Sequence, residues 1–202
     1  MKSLKFLLPL GIMGLVFAFF IYSFLPVSLN KKTVEIRYGM SSWDISLYLY
    51  REGVLRSPLS FIVIHAIRKG KLEAGEYEFD GITFPWDAYR KIRYGIKKLY
   101  KITIPEGYDL YDIAKVLEEN KICKGEDFLR YALSKDTAEK YGLKTLNMEG
   151  FLFPDTYFFS KNTHPLKVID TMHKNFLRRT EELRKELQGM SLEEWVTIAS
   201  LI

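Results

Sequence analysis

At 202 residues the chain has room for one or two compact domains, and its 48% hydrophobic and 15% aromatic content excludes a disordered polymer. The net charge of +5 is interspersed, with no long basic block, so it suits an anionic membrane or cell-wall surface and is weak evidence for nucleic acid. A single cysteine, Cys123, excludes an internal disulfide framework and a cysteine-rich metal site.

Phe6 to Leu25 is an uncharged run dominated by Leu, Ile, Val and Phe. Twenty residues at helical rise span roughly 30 Å, one bilayer core, so the run predicts a transmembrane helix over 6–25 behind a short cytoplasmic tail, 1–5. Lys2 and Lys5 favour a cytoplasmic N-terminus, while Lys31, Lys32 and Arg37 on the far side blunt that argument. A cleaved signal peptide is the competing reading. The run is longer than a usual signal core, and no small-x-small cleavage site follows it.

Val34-Glu35-Ile36-Arg37-Tyr38 alternates like a half-buried strand, and Gly39 turns the chain. Ser41 or Ser42 caps a helix running to about Arg51. Ser57-Pro58 opens the next helix, over about 59–69. Leu72 to Phe79 reads as a second strand, Asp80-Gly81 as a turn, and Thr83 to Arg93 as a helix.

A second unit begins with the strand and turn at Tyr100 to Gly107, followed by a helix capped by Asp109. Gly39, Asp44, Ile45 and Leu49 recur as Gly107, Asp112, Ile113 and Leu117, each 68 positions on, and Val34 and Ile36 recur as Ile102 and Ile104. A strand, a tight turn and a packed helix therefore occur twice, although any strand–turn–helix shares that outline. Short helices follow over about 125–133 and 136–141. After the segment 146–157, Thr163-His164-Pro165 starts a long amphipathic helix with Val168, Ile169, Met172, Phe176 and Leu177 on its apolar face. Ser191 to Glu194 is a capping box for a last helix carrying Trp195, Ile198, Ala199 and Leu201. The final residues are small or apolar and carry no cap, so sequence downstream of Ile202 is expected. His65, His164 and His173 show no ligand or triad spacing and read as structural or surface residues.

The segment Leu146 to Tyr157 (LNMEGFLFPDTY) has neither helical nor strand period. It reads as an ordered loop holding Glu149 and Asp155 beside aromatic faces, as a carbohydrate cleft requires. The alternative is a buried aromatic turn with two surface acids.

Taken together, the N-terminal apolar run, Val34–Gly39, Leu72–Tyr77, Thr103-Ile104-Pro105-Glu106-Gly107, Glu149–Tyr157 and Ala199-Ser200-Leu201-Ile202 resemble the endolytic murein transglycosylases, the YceG-like family. The resemblance covers essentially the whole chain. It implies an α+β protein on the cytoplasmic membrane: one membrane-spanning helix, a small LysM-like subdomain over 33–95, and the N-terminal part of a YceG-like catalytic domain over 97–202, facing the periplasm or cell wall. The implied reaction is lytic rather than hydrolytic. A single Glu protonates the leaving glycosidic oxygen, and the sugar's own 6-hydroxyl closes a 1,6-anhydro ring, so the second carboxylate of a hydrolase is not needed. That Glu must keep its proton near neutral pH. In the family it directly follows the Ala-Ser-x-Ile segment, immediately after Ile202, so no catalytic residue is assigned and the chain as written is predicted inactive. Glu149, Phe151, Asp155 and Tyr157 are the expected substrate-binding residues.

Expected partners are peptidoglycan glycan strands and the cytoplasmic membrane, with a peptidoglycan synthase as candidate protein partner. Neither metal, cofactor nor nucleic acid is expected. A non-catalytic glycan-binding module and an inward-facing helical adaptor are the rivals, and a retaining glycosidase using Glu149 with Asp155 is a third.

Overall fold

The computed structural model describes the backbone of residues 2–186 and 189–199, and within these every side chain except those of residues 2–10, 183, 184, 186 and 199. The Ser200-Leu201-Ile202 end of the resembling segment, including the predicted helical Leu201, lies outside the described residues. The fold is α+β, in two compact units, Met1–Lys98 and Leu99–Ile202.

The first unit opens with α1 (Lys2–Phe24), on which the predicted membrane run falls. Among the described residues no helix is long and apolar enough to cross a membrane. Ile12, Leu15, Phe17 and Phe20 are nonetheless at least half exposed along α1, while Phe24 packs against the unit's core. Only Leu25 and Pro26 separate α1 from β1 (Val27–Ile36). Arg56 clamps this junction, donating to the Pro26 carbonyl at 3.0 Å with its guanidinium 5.4 Å from the Tyr22 ring centroid. Next, α2 (Ser42–Arg51) begins in a capping box. The Ser41 hydroxyl accepts from the Asp44 N–H at 3.1 Å, and the Asp44 carboxylate accepts from the Ser41 N–H at 3.1 Å. Such a cap is worth about 1 kcal/mol. α3 (Pro58–Arg68) leads to β2 (Gly75–Thr83), antiparallel to β1 with Val34 opposite Tyr77, and α4 (Pro85–Arg93) closes the unit. Val34, Ile45, Leu49, Phe61, Tyr77, Phe79 and Ile92 form its core.

Asp80-Gly81 is not the turn that its composition predicts. Both residues lie inside β2, opposite an irregularity of β1 between Leu29 and Lys32. Lys31 there has φ 41°, and the Asp80 carboxylate satisfies the backbone by accepting from the Lys31 N–H at 3.2 Å and the Gly81 N–H at 2.9 Å. A local side-chain bond thus replaced a hairpin.

In the second unit β3 (Tyr100–Thr103) is followed by α5 (Leu110–Glu119), α6 (Gly125–Ala132) and α7 (Lys135–Lys140). β4 (Thr156–Phe159) then pairs antiparallel with β3, and α8 (Pro165–Arg179), α9 (Glu181–Glu186) and α10 (Leu192–Ala199) complete it. The end of the segment read as loop is therefore strand β4. Ile102, Leu110, Ile113, Leu117, Phe128, Met148, Phe151, Tyr157 and Met172 are among its core residues. Cys123 is half-buried, and burial foremost, with Asp127 and Glu118 adding to it, pushes its thiol up to about 11. Alkylation at pH 7.5 is expected to be much slower than that of free cysteine, checked by mass-spectrometric kinetics with iodoacetamide.

The duplication goes further than its sequence trace. Asp109 and Asp112 repeat the capping box of Ser41 and Asp44. The N–H of Val54 bonds the Leu49 carbonyl at 2.8 Å, as Ile122 bonds Leu117 at 2.8 Å. In the returning strands the spacing becomes 80. Tyr77 faces Val34 as Tyr157 faces Ile102, and each tyrosine hydroxyl donates four residues back, to Glu73 O at 2.7 Å and to Phe153 O at 2.5 Å. Pro85 and Pro165 then open matching helices, α4 and α8. Both units thus share the order strand, two helices, antiparallel strand, helix, with α7 added before the returning strand of the second and α9 and α10 after its helix.

Candidate functional site

Asp155 immediately precedes β4 and is fixed there because its carbonyl accepts from the Ile104 N–H at 2.9 Å, extending the β3–β4 ladder by one pair. Its carboxylate accepts three hydrogen bonds: Oδ2 takes Asn175 Nδ2 at 3.0 Å and the Arg179 guanidinium at 2.9 Å, and Oδ1 takes the Thr156 N–H at 2.7 Å. The Asn175 bond first, then the Thr156 N–H and Arg179, hold the acid down at about 2. Asp155 is consequently a fixed anion at neutral pH and no proton donor.

Asn175 joins the site from α8. Its Nδ2 also donates to the Tyr157 hydroxyl at 3.1 Å, and its Oδ1 accepts from Arg178 at 2.8 Å. Tyr157 is 5% exposed; its hydroxyl serves Phe153 and Asn175, and its ring lies 5.7 Å from that of Phe159. Beside this cluster runs an open groove of about 390 Å³, walled by Asp155 to Phe158 on one side and Thr171, Lys174, Asn175 and Arg178 on the other.

Of the four residues expected to bind substrate, Asp155 and Tyr157 are brought together at the groove. Phe151 is 2% exposed, packed edge-on against Phe176 at 5.7 Å, and its carbonyl lies 3.0 Å from His173 Nδ1. Glu149 is exposed and accepts from the Leu110 N–H at 3.2 Å, so it serves the first turn of α5. Asn175 was missed by sequence reasoning. It lies three positions beyond Met172, on the buried face of α8, where a polar residue stands out.

The same segment seats α10. Gly150 has φ +80°, and a Cβ there would meet Val196 Cγ1 at 2.7 Å. Glu193 accepts from the Lys144 N–H at 2.9 Å, and Trp195 approaches Phe176 with ring centroids 6.3 Å apart. The Ser191–Glu194 capping box predicted from sequence is present, with the Ser191 N–H on Glu194 at 2.9 Å and the Glu194 N–H on Ser191 at 3.2 Å. Among the described residues, no three His, Cys, Asp or Glu side chains gather to hold a metal ion.

The cluster has a signature in acid. Because the folded value of Asp155 is depressed, its stabilising contribution is fully present above the ordinary value of 3.8 and is lost as pH falls toward about 2. Carboxyl-carbon NMR is expected to show Asp155 titrating with a midpoint near 2.

Residues 34–202 match the model of the YceG-like family. The chain belongs to the YceG-like family. It is 26% identical to the endolytic murein transglycosylase of Streptococcus pneumoniae serotype 2, in a match covering 89% of this chain and 38% of that protein, and the counterpart from a second strain of that species matches equally. The YceG-like chain thus spans 38% of the length of these curated relatives. A crystal structure of a YceG-like protein from Listeria monocytogenes is 28% identical, with a TM-score of 0.43 over 83% of this chain and 62% of that one. Within the family match fall Asp155, Tyr157, Asn175 and Arg179, the whole carboxylate cluster.

Proposed function

We propose that this protein belongs to a membrane-anchored endolytic peptidoglycan lytic transglycosylase that cuts nascent glycan strands to 1,6-anhydro-muramyl ends. The observation that carries the reading is the fixed Asp155 anion at the rim of an open groove, inside the family match. Asp155 accepts hydrogen bonds from sugar hydroxyls or amides and Tyr157 shapes the groove wall from beneath, while Glu149 and Phe151 lie outside the groove lining. The first unit is the LysM-like subdomain of this reading and adds glycan contact. Helix α1 is the anchor: its 23 residues reach roughly 34 Å, and its exposed apolar side chains suit lipid better than water. The folded units face the periplasm or cell wall, where a peptidoglycan synthase supplies the strand.

A second reading, a non-catalytic glycan-binding module, is favoured by one observation. Each carboxyl with a resolved shift among the described residues, Asp44, Asp155, Glu193 and Glu194, is shifted down, whereas a proton donor needs a raised value. On this second reading the chain binds glycan at the groove without cutting it. The full-length cellular protein, incubated with purified sacculi, is expected to release anhydro-muropeptides identifiable by mass. Reducing-end products would replace the lytic reading with hydrolysis, and no products with retained binding would leave the binding module.

A further inference from the structure

The free edge of β4 differs from its counterpart in the first unit. In an antiparallel ladder, hydrogen-bonded and non-bonded pairs alternate. The Ile104–Asp155 bond marks a bonded pair, so by the register Thr103–Thr156 and Lys101–Phe158 are non-bonded pairs. The backbone groups of Thr156 and Phe158 therefore point away from β3, toward the groove edge. The Thr156 N–H is taken by Asp155. The Thr156 carbonyl and the Phe158 N–H and carbonyl meet no partner among the described residues.

In the first unit the matching edge is closed by the chain itself. The Lys98 N–H bonds the Glu76 carbonyl at 2.7 Å, and the Lys91 ammonium bonds the Glu78 carbonyl at 2.7 Å. These are the positions of Thr156 and Phe158, 80 residues earlier. Helix α4 stops at Arg93, and Gly95, at φ +61°, turns the chain back onto β2. In the second unit Asn175 stands at the place of Gly95 and α8 runs on to Arg179, so no chain returns. Thr171 occupies the place of Lys91, and Arg178 that of Lys98.

We propose that this groove binds the peptide stem of peptidoglycan, as an extended segment added to the edge of β4, with its free carboxylate toward Lys174 and Arg178. This rests on the peptidoglycan reading above. The occupant is named by two features. The duplicate closes the same edge with a backbone N–H, that of Lys98, and an ammonium, that of Lys91, and the α8 wall carries Lys174 and Arg178. Addition of a strand supplies main-chain bonds, and Arg178, bonded among the described residues only to the neutral Asn175 amide, selects a carboxylate terminus, with Lys174 able to join it by exchanging its 2.8 Å ion pair with Asp170. Four residues, Asp155 to Phe158, line roughly 13 Å of edge at strand rise, the reach of a short peptide.

The test uses the full 202-residue chain in detergent micelles, titrated with a synthetic stem pentapeptide and, separately, with peptide-free chitotetraose. The pentapeptide is expected to shift the Phe158 amide resonance and slow its hydrogen exchange. Thr171→Lys installs the plug that Lys91 provides in the first unit and should weaken pentapeptide binding at least tenfold, with the melting temperature as control for folding. Arg178→Glu should weaken it likewise. Unchanged pentapeptide affinity in both variants, or a Phe158 response to chitotetraose alone, overturns the proposal. Pentapeptide binding at Phe158 in a protein whose full-length form releases no anhydro-muropeptide would keep the groove and sink the lytic reading. Lytic release without pentapeptide binding would do the reverse.

Discussion

Gly150→Val is expected to destabilise the second unit by about 3 kcal/mol, the sum of a left-handed backbone imposed on an L-residue and an overpacked contact. The position has φ +80°, and its first added carbon meets Val196 Cγ1 at 2.7 Å. Neither side yields cheaply, because Val196 is stiff at χ1 and its helix is held by the Glu193 bond to Lys144. The expected response is partial release of α10 from Phe176. Urea unfolding followed by Trp195 fluorescence, with Trp43 and Trp86 replaced by Phe, measures it. Val196→Ala in the Gly150→Ala background should recover part of the loss, since the clash is relieved while the backbone term stays. Equal stability of Gly150→Ala with and without Val196→Ala would refute the contact as the cause.

Asn175→Leu is the second large effect, because one side chain of similar size is removed from three partners. Tyr157 loses a donor worth about 1 kcal/mol in a buried setting. Asp155 loses the bond that does most to hold its value down, so its NMR midpoint should rise from about 2 toward 3.8. Arg178, released from the Asn175 Oδ1, becomes free to swing across the groove. If Asp155 meets the glycan, binding to purified sacculi should fall at least about tenfold, or 1.4 kcal/mol. Asn175→Gln offers the conservative comparison and should restore part of the Asp155 shift. Unchanged sacculus binding together with a raised Asp155 midpoint would show that the carboxylate is structural and that the glycan lies elsewhere.

Much of the architecture was legible because local signals agreed with each other. The capping residues at Ser41 and Asp109, the prolines at helix starts and the apolar period of α8 each marked an element that formed. The repeat was readable only as far as Leu117. Between α6 and β4 the second unit carries α7 and the long aromatic segment, so the spacing changes from 68 to 80 and the alignment by eye is lost. Strand β4 was hidden for a different reason. Thr156-Tyr157-Phe158-Phe159 is too short and too uniformly apolar to alternate, and Phe158 is 59% exposed. At the site, the sequence pointed to Asp155 through its neighbours. The residue that orients it, Asn175, is 20 positions away, and only tertiary packing brings them together.

The two-residue step from α1 into β1, braced by Arg56, has a consequence for reach. A lipid-embedded α1 on so short a leash would hold the first unit within a few ångströms of the headgroups. On the proposed reading its catchment would be polymer emerging at the bilayer, and mature wall farther out would stay beyond its grasp. Lengthening that step with a flexible insert should broaden the range of targets it meets.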